Sequence, residues 1–165
     1  ALRESRITAL EAMARAGLKE TPPGWYPELI RAMDSENPVL SRQAVLTARS
    51  LAMPKGGHAE LTAALVRVGR DAKVSPETRL EALAAVPAGN LPLDGGLFDF
   101  VRSYLDPAKP VSTRGTAASI LARARLTPEQ LLAALGAIKP MTQDPLDQLS
   151  DLIAARIPGL CTGVA

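Results

Sequence analysis

An arginine recurs along this chain at a nearly constant spacing, and this repeat constrains the fold more than any other feature of the sequence. The marker arginines, as we refer to them, are separated by 36, 37 and 35 residues and are Arg6, Arg42, Arg79 and Arg114. A repeat of this length indicates an array of helical units, in which each unit buries its apolar face against its neighbours.

A second column of arginines repeats with the same period. Ile-Arg or Val-Arg pairs recur at intervals of 36 and 35 residues, and their basic members, the outer arginines, are Arg31, Arg67 and Arg102. Two coincident columns indicate that each unit contains two helices. The pattern predicts about nine helices, over 2–16, 26–33, 38–52, 59–71, 76–86, 97–105, 111–125, 127–138 and 145–157.

Several helix starts carry capping signals. Asn37 precedes Pro38, which favours a cap followed by a proline in the first turn, and Ser75 precedes a proline in the same way. Thr127 and Gln130 have the spacing of a capping box. These signals predict where three of the helices begin.

Composition limits the function classes. The chain has 165 residues, of which 47% are apolar but only 3% aromatic, so its core must be built from small aliphatic side chains. A net charge of +2 gives no prediction of a polyanionic partner. The single cysteine, Cys161, excludes an internal disulfide and any two-cysteine metal or haem motif within these residues. No run of 18 apolar residues is present, so we expect no membrane span.

The segment Asn-Pro-Val-Leu-Ser-Arg-Gln-Ala at residues 37–44 resembles the HEAT-repeat family, and the resemblance covers about 2–156. It implies an all-α, right-handed α-solenoid of about four to five helical hairpins in a domain over 1–158. The terminal residues 159–165 are expected to form a flexible tail. In that family the Asn before the proline and the Arg after it tie neighbouring repeats together, which implies this role for Asn37 and Arg42. The last copy, at 144–149, lacks the Arg and reads as a degenerate terminal repeat.

A narrower resemblance links residues 80–100 and 122–127 to large planctomycete-type bacterial proteins. In those proteins HEAT repeats lie between a propeller-like dehydrogenase domain and a c-type haem domain. This implies an alternative function, a helical spacer within a larger periplasmic dehydrogenase and cytochrome protein. Any haem would belong to another part of such a chain, because no Cys-x-x-Cys-His motif occurs here.

The two arginine columns allow structural and binding interpretations. We interpret the marker arginines, with Asn37, as a ladder of hydrogen bonds between repeats; the alternative is an exposed anion-binding stripe. For the outer arginines the expected role is a solvated helix face, and the alternative is a ligand-facing ridge. Binding of a nucleic-acid backbone through these columns is a second alternative function, and the near-neutral net charge argues against it.

The longer loops, 53–58 and 87–96, both join one repeat to the next and vary in length. Because they contain Met53, His58, Leu91 and Leu93, we expect them to form an apolar surface that contacts a partner. Trp25 and its neighbour Tyr26 are expected to fill space under a loop.

His58 is the sole histidine and has no second ligand or carboxylate cluster beside it in the sequence. Cys161 likewise has no histidine partner at a spacing typical of nucleophilic catalysis. We therefore predict no catalytic, metal or cofactor site and no small-molecule substrate. The leading function is a non-catalytic scaffold that binds a protein partner or a neighbouring domain of a longer chain.

Overall fold

A computed structural model describes residues 2–54, 57–89, 91 and 93–137 of the chain. Within these residues the fold is all-α, with eight helices and no strand. The helices are α1 (Leu2–Arg15), α2 (Trp25–Met33), α3 (Pro38–Ser50), α4 (Ala59–Arg70), α5 (Pro76–Ala85), α6 (Gly95–Ser103), α7 (Val111–Arg123) and α8 (Pro128–Ala137). The ninth predicted helix, the tail over 159–165 and Cys161 lie outside the described residues.

The predicted capping signals are confirmed. The side chain of Asn37 accepts hydrogen bonds from the backbone N–H groups of Val39 and Leu40, at 3.0 and 3.3 Å. Ser75 caps α5 in the same way, through the N–H of Thr78. At α8 the capping box is reciprocal, because Gln130 N–H donates to the Thr127 hydroxyl and Thr127 N–H donates to the Gln130 side chain. These bonds satisfy amides that the first helical turn leaves unpaired.

One helix start corrects the sequence analysis. Gly95 and Gly96 fall in the predicted loop 87–96, yet they form the first turn of α6, because the Asp94 side chain accepts a hydrogen bond from Leu97 N–H at 3.0 Å. At the other end of the chain, α1 ends at Arg15, close to Gly17, which adopts a positive φ of 58°.

The chain divides into two compact units, Ala1–Leu91 and Pro92–Ala165. In the first unit, consecutive helices pair as α2 with α3 and α4 with α5. Alternate helices also pack side by side, α1 on α3 and α3 on α5, and α2 on α4. The unit therefore has two layers, one of odd-numbered and one of even-numbered helices.

The core of the first unit depends on small residues and on leucine. Gly69 in α4 lies so close to α5 that an added Cβ would come within 2.4 Å of the Leu83 side chain. Leu83 is fully buried, so it has no space into which it can move. Other fully buried side chains in this unit are Leu29, Val45, Thr47, Leu61, Leu65 and Leu80.

The second unit is described from α6 to α8. Helix α6 packs on both α7 and α8. Its core combines aliphatic residues with one aromatic side chain, and the described buried residues are Leu93, Leu97, Phe98, Val101, Leu105, Ala117, Ala118, Ile120, Leu121, Ala124 and Ala134. No helix in the described part of the chain is long and apolar enough to cross a membrane.

Candidate interaction groove

The marker arginines do not share one environment. Arg6 and Arg42 are exposed, Arg79 is half-buried and Arg114 is buried. Arg79 Nε donates a hydrogen bond to the Gly69 carbonyl at 2.9 Å, and this bond lies within one helical hairpin and not between neighbouring hairpins. The marker arginines therefore share one position in the repeat but differ in environment from one repeat to the next.

A closer structural equivalence involves a carbonyl in the last turn of the first helix, in the α2–α3 and α4–α5 hairpins. Gly69 lies 36 residues after Met33, one repeat length along the chain. The Met33 carbonyl accepts a hydrogen bond from the buried Ser41 hydroxyl at 3.0 Å, whereas the Gly69 carbonyl accepts from Arg79. In both hairpins, a side chain of the second helix thus donates a hydrogen bond to a carbonyl in the last turn of the first helix.

The outer arginines all form ion pairs on the surface. Arg31 pairs with Glu28 and Arg102 with Asp99, in each case within one helix. Arg67 instead reaches Asp34, at the end of α2, over 2.5 Å. A second exposed pair between hairpins joins Arg49 in α3 to Glu81 in α5. The outer arginines are therefore partly neutralised by nearby carboxylates.

Among the described residues of the long loops, the leucines expected to form an apolar surface face the core. Leu91 and Leu93 are buried, with 6% and 9% of their surface exposed, and Met53 is half-buried. A leucine in a long connection covers the core more favourably than it faces water, which explains the difference.

His58 has a structural role in the same region. Its Nδ1 accepts a hydrogen bond from Leu61 N–H at 3.3 Å and so caps α4. Its ring stacks on that of Tyr26, with 4.0 Å between the centroids and 24° between the planes. Tyr26 is buried and Trp25 half-buried. Sequence reasoning missed this cap because histidine is not among the usual capping residues.

A groove of about 690 Å³ lies in the first unit, at the edge where α2 turns into α3 and α4 turns into α5. One wall is the exposed side of α3, which contributes Val39, Arg42, Gln43 and Leu46. The opposite wall includes Val74 in the α4–α5 turn. Sequence analysis expected the partner contact on the long loops, and of the residues it proposed for contact only Arg67 lines this groove.

The groove contains both charges in equal number. Its basic side chains are Arg42, Arg67 and Lys73, and its acidic side chains are Asp34, Glu36 and Asp71. Asp34 is engaged by Arg67, and Asp71 accepts a hydrogen bond from the backbone N–H of Lys73 at 2.9 Å. A groove with this balance is unlike the basic surface typical of nucleic-acid binding.

A metal-binding cluster of three or more histidine, cysteine or acidic side chains is absent from the part of the chain that the structure describes. The groove itself contains no histidine or cysteine. Its lining combines aliphatic side chains, one amide, charged groups of both signs and four hydroxyl side chains, those of Ser35, Ser41, Ser75 and Thr78.

Comparisons of the chain with protein-family models, with curated proteins and with solved structures find no match.

Proposed function

We propose that the chain is a non-catalytic scaffold that binds a protein partner or a neighbouring domain of a longer chain. The observation that carries this proposal is the two-layer packing of α1 to α5, in which alternate helices lie side by side and leave a groove along one edge. Extended surfaces of this kind are what stacked helical hairpins offer to protein partners.

The same proposal includes the finer architecture: a right-handed solenoid of about four to five HEAT-like hairpins. The two coincident arginine columns and the pairing of α2 with α3 and of α4 with α5 support it. A crystal structure of the full chain would test the handedness and the number of hairpins, and a left-handed or closed bundle would contradict it.

The two alternative functions receive less support. Contact with a nucleic-acid backbone needs accessible positive charge, yet each outer arginine already pairs with a carboxylate. The spacer function within a dehydrogenase and cytochrome protein rests on sequence resemblance alone. The gene sequence on either side of these 165 residues would test it directly.

A photo-cross-linking experiment tests the scaffold. A benzophenone amino acid replaces Val39, which is 61% exposed in the groove, and in a matched variant replaces Leu18, which is 44% exposed and outside the groove. We expect a discrete cross-linked protein from the groove position in the native cell, and little from the control. Equal diffuse labelling from both positions would contradict the proposal.

A further inference from the structure

The groove wall formed by α3 presents an apolar, a cationic and a second apolar side chain in order. Val39, Arg42 and Leu46 lie at positions i, i+3 and i+7 and therefore on one side of the helix. Val39 and Arg42 are exposed, and Leu46 is half-buried. The two apolar side chains are about 10 Å apart along the helix axis, given 1.5 Å per residue. We refer to these three residues as the α3 stripe.

The carboxylates of the groove do not lie on this stripe. Asp34 and Glu36 are in the α2–α3 turn, and Asp71 follows α4. The Arg42 guanidinium makes no hydrogen bond or ion pair with any residue that the structure describes. The stripe itself is therefore cationic and apolar, while the acidic side chains surround it at the turns.

Given the scaffold proposed above, on which this inference rests, we propose that the α3 stripe binds an amphipathic helix of a partner protein. The contact face of that helix carries an apolar, an acidic and an apolar side chain in the matching order. A carboxylate pairs with an arginine through two parallel hydrogen bonds, and the flanking apolar side chains cover Val39 and Leu46. A nucleic-acid backbone would pair with Arg42 but would leave the aliphatic surface of Val39 and Leu46 uncovered.

Two synthetic peptides of about 16 residues test whether a helix with this contact face binds the α3 stripe. Both peptides are constrained to be helical, because short helices are marginal in water. One carries Leu, Glu and Leu at i, i+3 and i+7 on an alanine and glutamine background, and the other has Lys in place of Glu. Fluorescence anisotropy with the full chain measures both affinities. We expect the Glu peptide to bind at least about tenfold more tightly, because opposite charges select the partner.

Charge reversal on the protein supplies the second half of the test. Arg42→Glu is expected to reverse the preference, so that the Lys peptide binds more tightly. Arg6→Glu is the matched control, since Arg6 is a marker arginine that is exposed on α1 and outside the groove, and it should leave the preference unchanged. Thermal unfolding followed by circular dichroism verifies that both variants fold.

Several results would overturn the inference: equal affinity for the two peptides, no binding of either, or Glu-peptide binding that survives Arg42→Glu. Tighter binding of a labelled single-stranded oligonucleotide than of either peptide, lost in Arg42→Glu, would assign the groove to nucleic acid. Cross-linking from Val39 tests the scaffold function separately. Failure of the peptide experiment would therefore contradict the binding of an amphipathic helix without contradicting the scaffold function.

Discussion

The Thr47 hydroxyl in α3 donates a hydrogen bond to the backbone carbonyl of Leu10 in α1 over 3.0 Å. The two residues are 37 positions apart, about one repeat length, and Thr47 is completely buried. This bond fixes two helices of the same layer relative to each other. The methyl group of this threonine can pack in the core, and its hydroxyl supplies a hydrogen bond to a buried main-chain carbonyl that water does not reach.

Replacing Thr47 with valine should lower the free energy of unfolding by about 1–3 kcal/mol, because the Leu10 carbonyl loses a buried donor. Urea unfolding measures the loss. The control is Thr8→Val, since the Thr8 hydroxyl also donates to a main-chain carbonyl, that of Glu4, but on the exposed side of α1. A similar loss in both variants would show that burial does not determine the value of the Thr47 bond.

Gly69→Ala should destabilise the chain by about 1–3 kcal/mol, the range typical of overpacking in a core. The new methyl group would overlap Leu83, which is fully buried. Gly115→Ala, in the middle of α7, is the matched control because nothing lies within 4 Å of its added Cβ. There the exchange should be neutral or stabilising, as expected for alanine in a helix. Differential scanning calorimetry distinguishes the two outcomes.

Leu46 and Leu83 occupy the same repeat position, four residues after a marker arginine, but differ in burial. Leu83 is fully buried, whereas Leu46 is half-buried in the groove wall. Leu83→Ala should cost about 2–5 kcal/mol, and Leu46→Ala clearly less, because less apolar surface is withdrawn from water at Leu46. Equal losses in chemical denaturation would contradict this assignment of faces.

The all-α fold and most helix starts were predictable from the sequence because periodicity and caps act locally. Asn37, Ser75 and the Thr127–Gln130 pair each satisfy amides within four residues of themselves. The start of α6 at Gly95 was missed, since glycine weakens a helix and the Asp94 cap was overlooked.

The candidate site was less predictable because it depends on contacts between distant segments. The α3 stripe has a local helical spacing, but only the turn around Val74, 35 residues after Val39, makes it one wall of a groove. The burial of Leu91 and Leu93 also follows from tertiary packing, which a loop composition does not specify. Likewise, the stack of His58 on Tyr26 joins two helices at their N-terminal ends.

Two substitutions separate the contributions of His58. His58→Asn should keep a side-chain acceptor for Leu61 N–H and lose the stack on Tyr26, whereas His58→Ala loses both. The cap contributes about 0.5–2 kcal/mol by analogy with other capping side chains, so alanine should be the less stable variant by that amount. Thermal unfolding of the two variants at pH 8 measures the difference. Equal stability would mean that the His58 acceptor does not stabilise α4.

The stability of the first turn of α8 should depend on pH, because Glu129 lies in that turn. Its pKa is lowered, first because its carboxylate accepts a backbone N–H bond and second because it interacts with the Thr127 side chain. A lowered pKa means that the stabilisation is complete above the unfolded value, about 4.3. It is lost as the pH falls through the lower folded pKa.

Thr127→Ala removes one of the two causes, so the pKa of Glu129 should rise towards its ordinary value. NMR titration of the side-chain carboxyl carbon of Glu129 measures this pKa. Thr116→Ala, an exposed hydroxyl in α7, should leave that pKa unchanged. An unaltered Glu129 titration in Thr127→Ala would assign the whole shift to the backbone N–H bond.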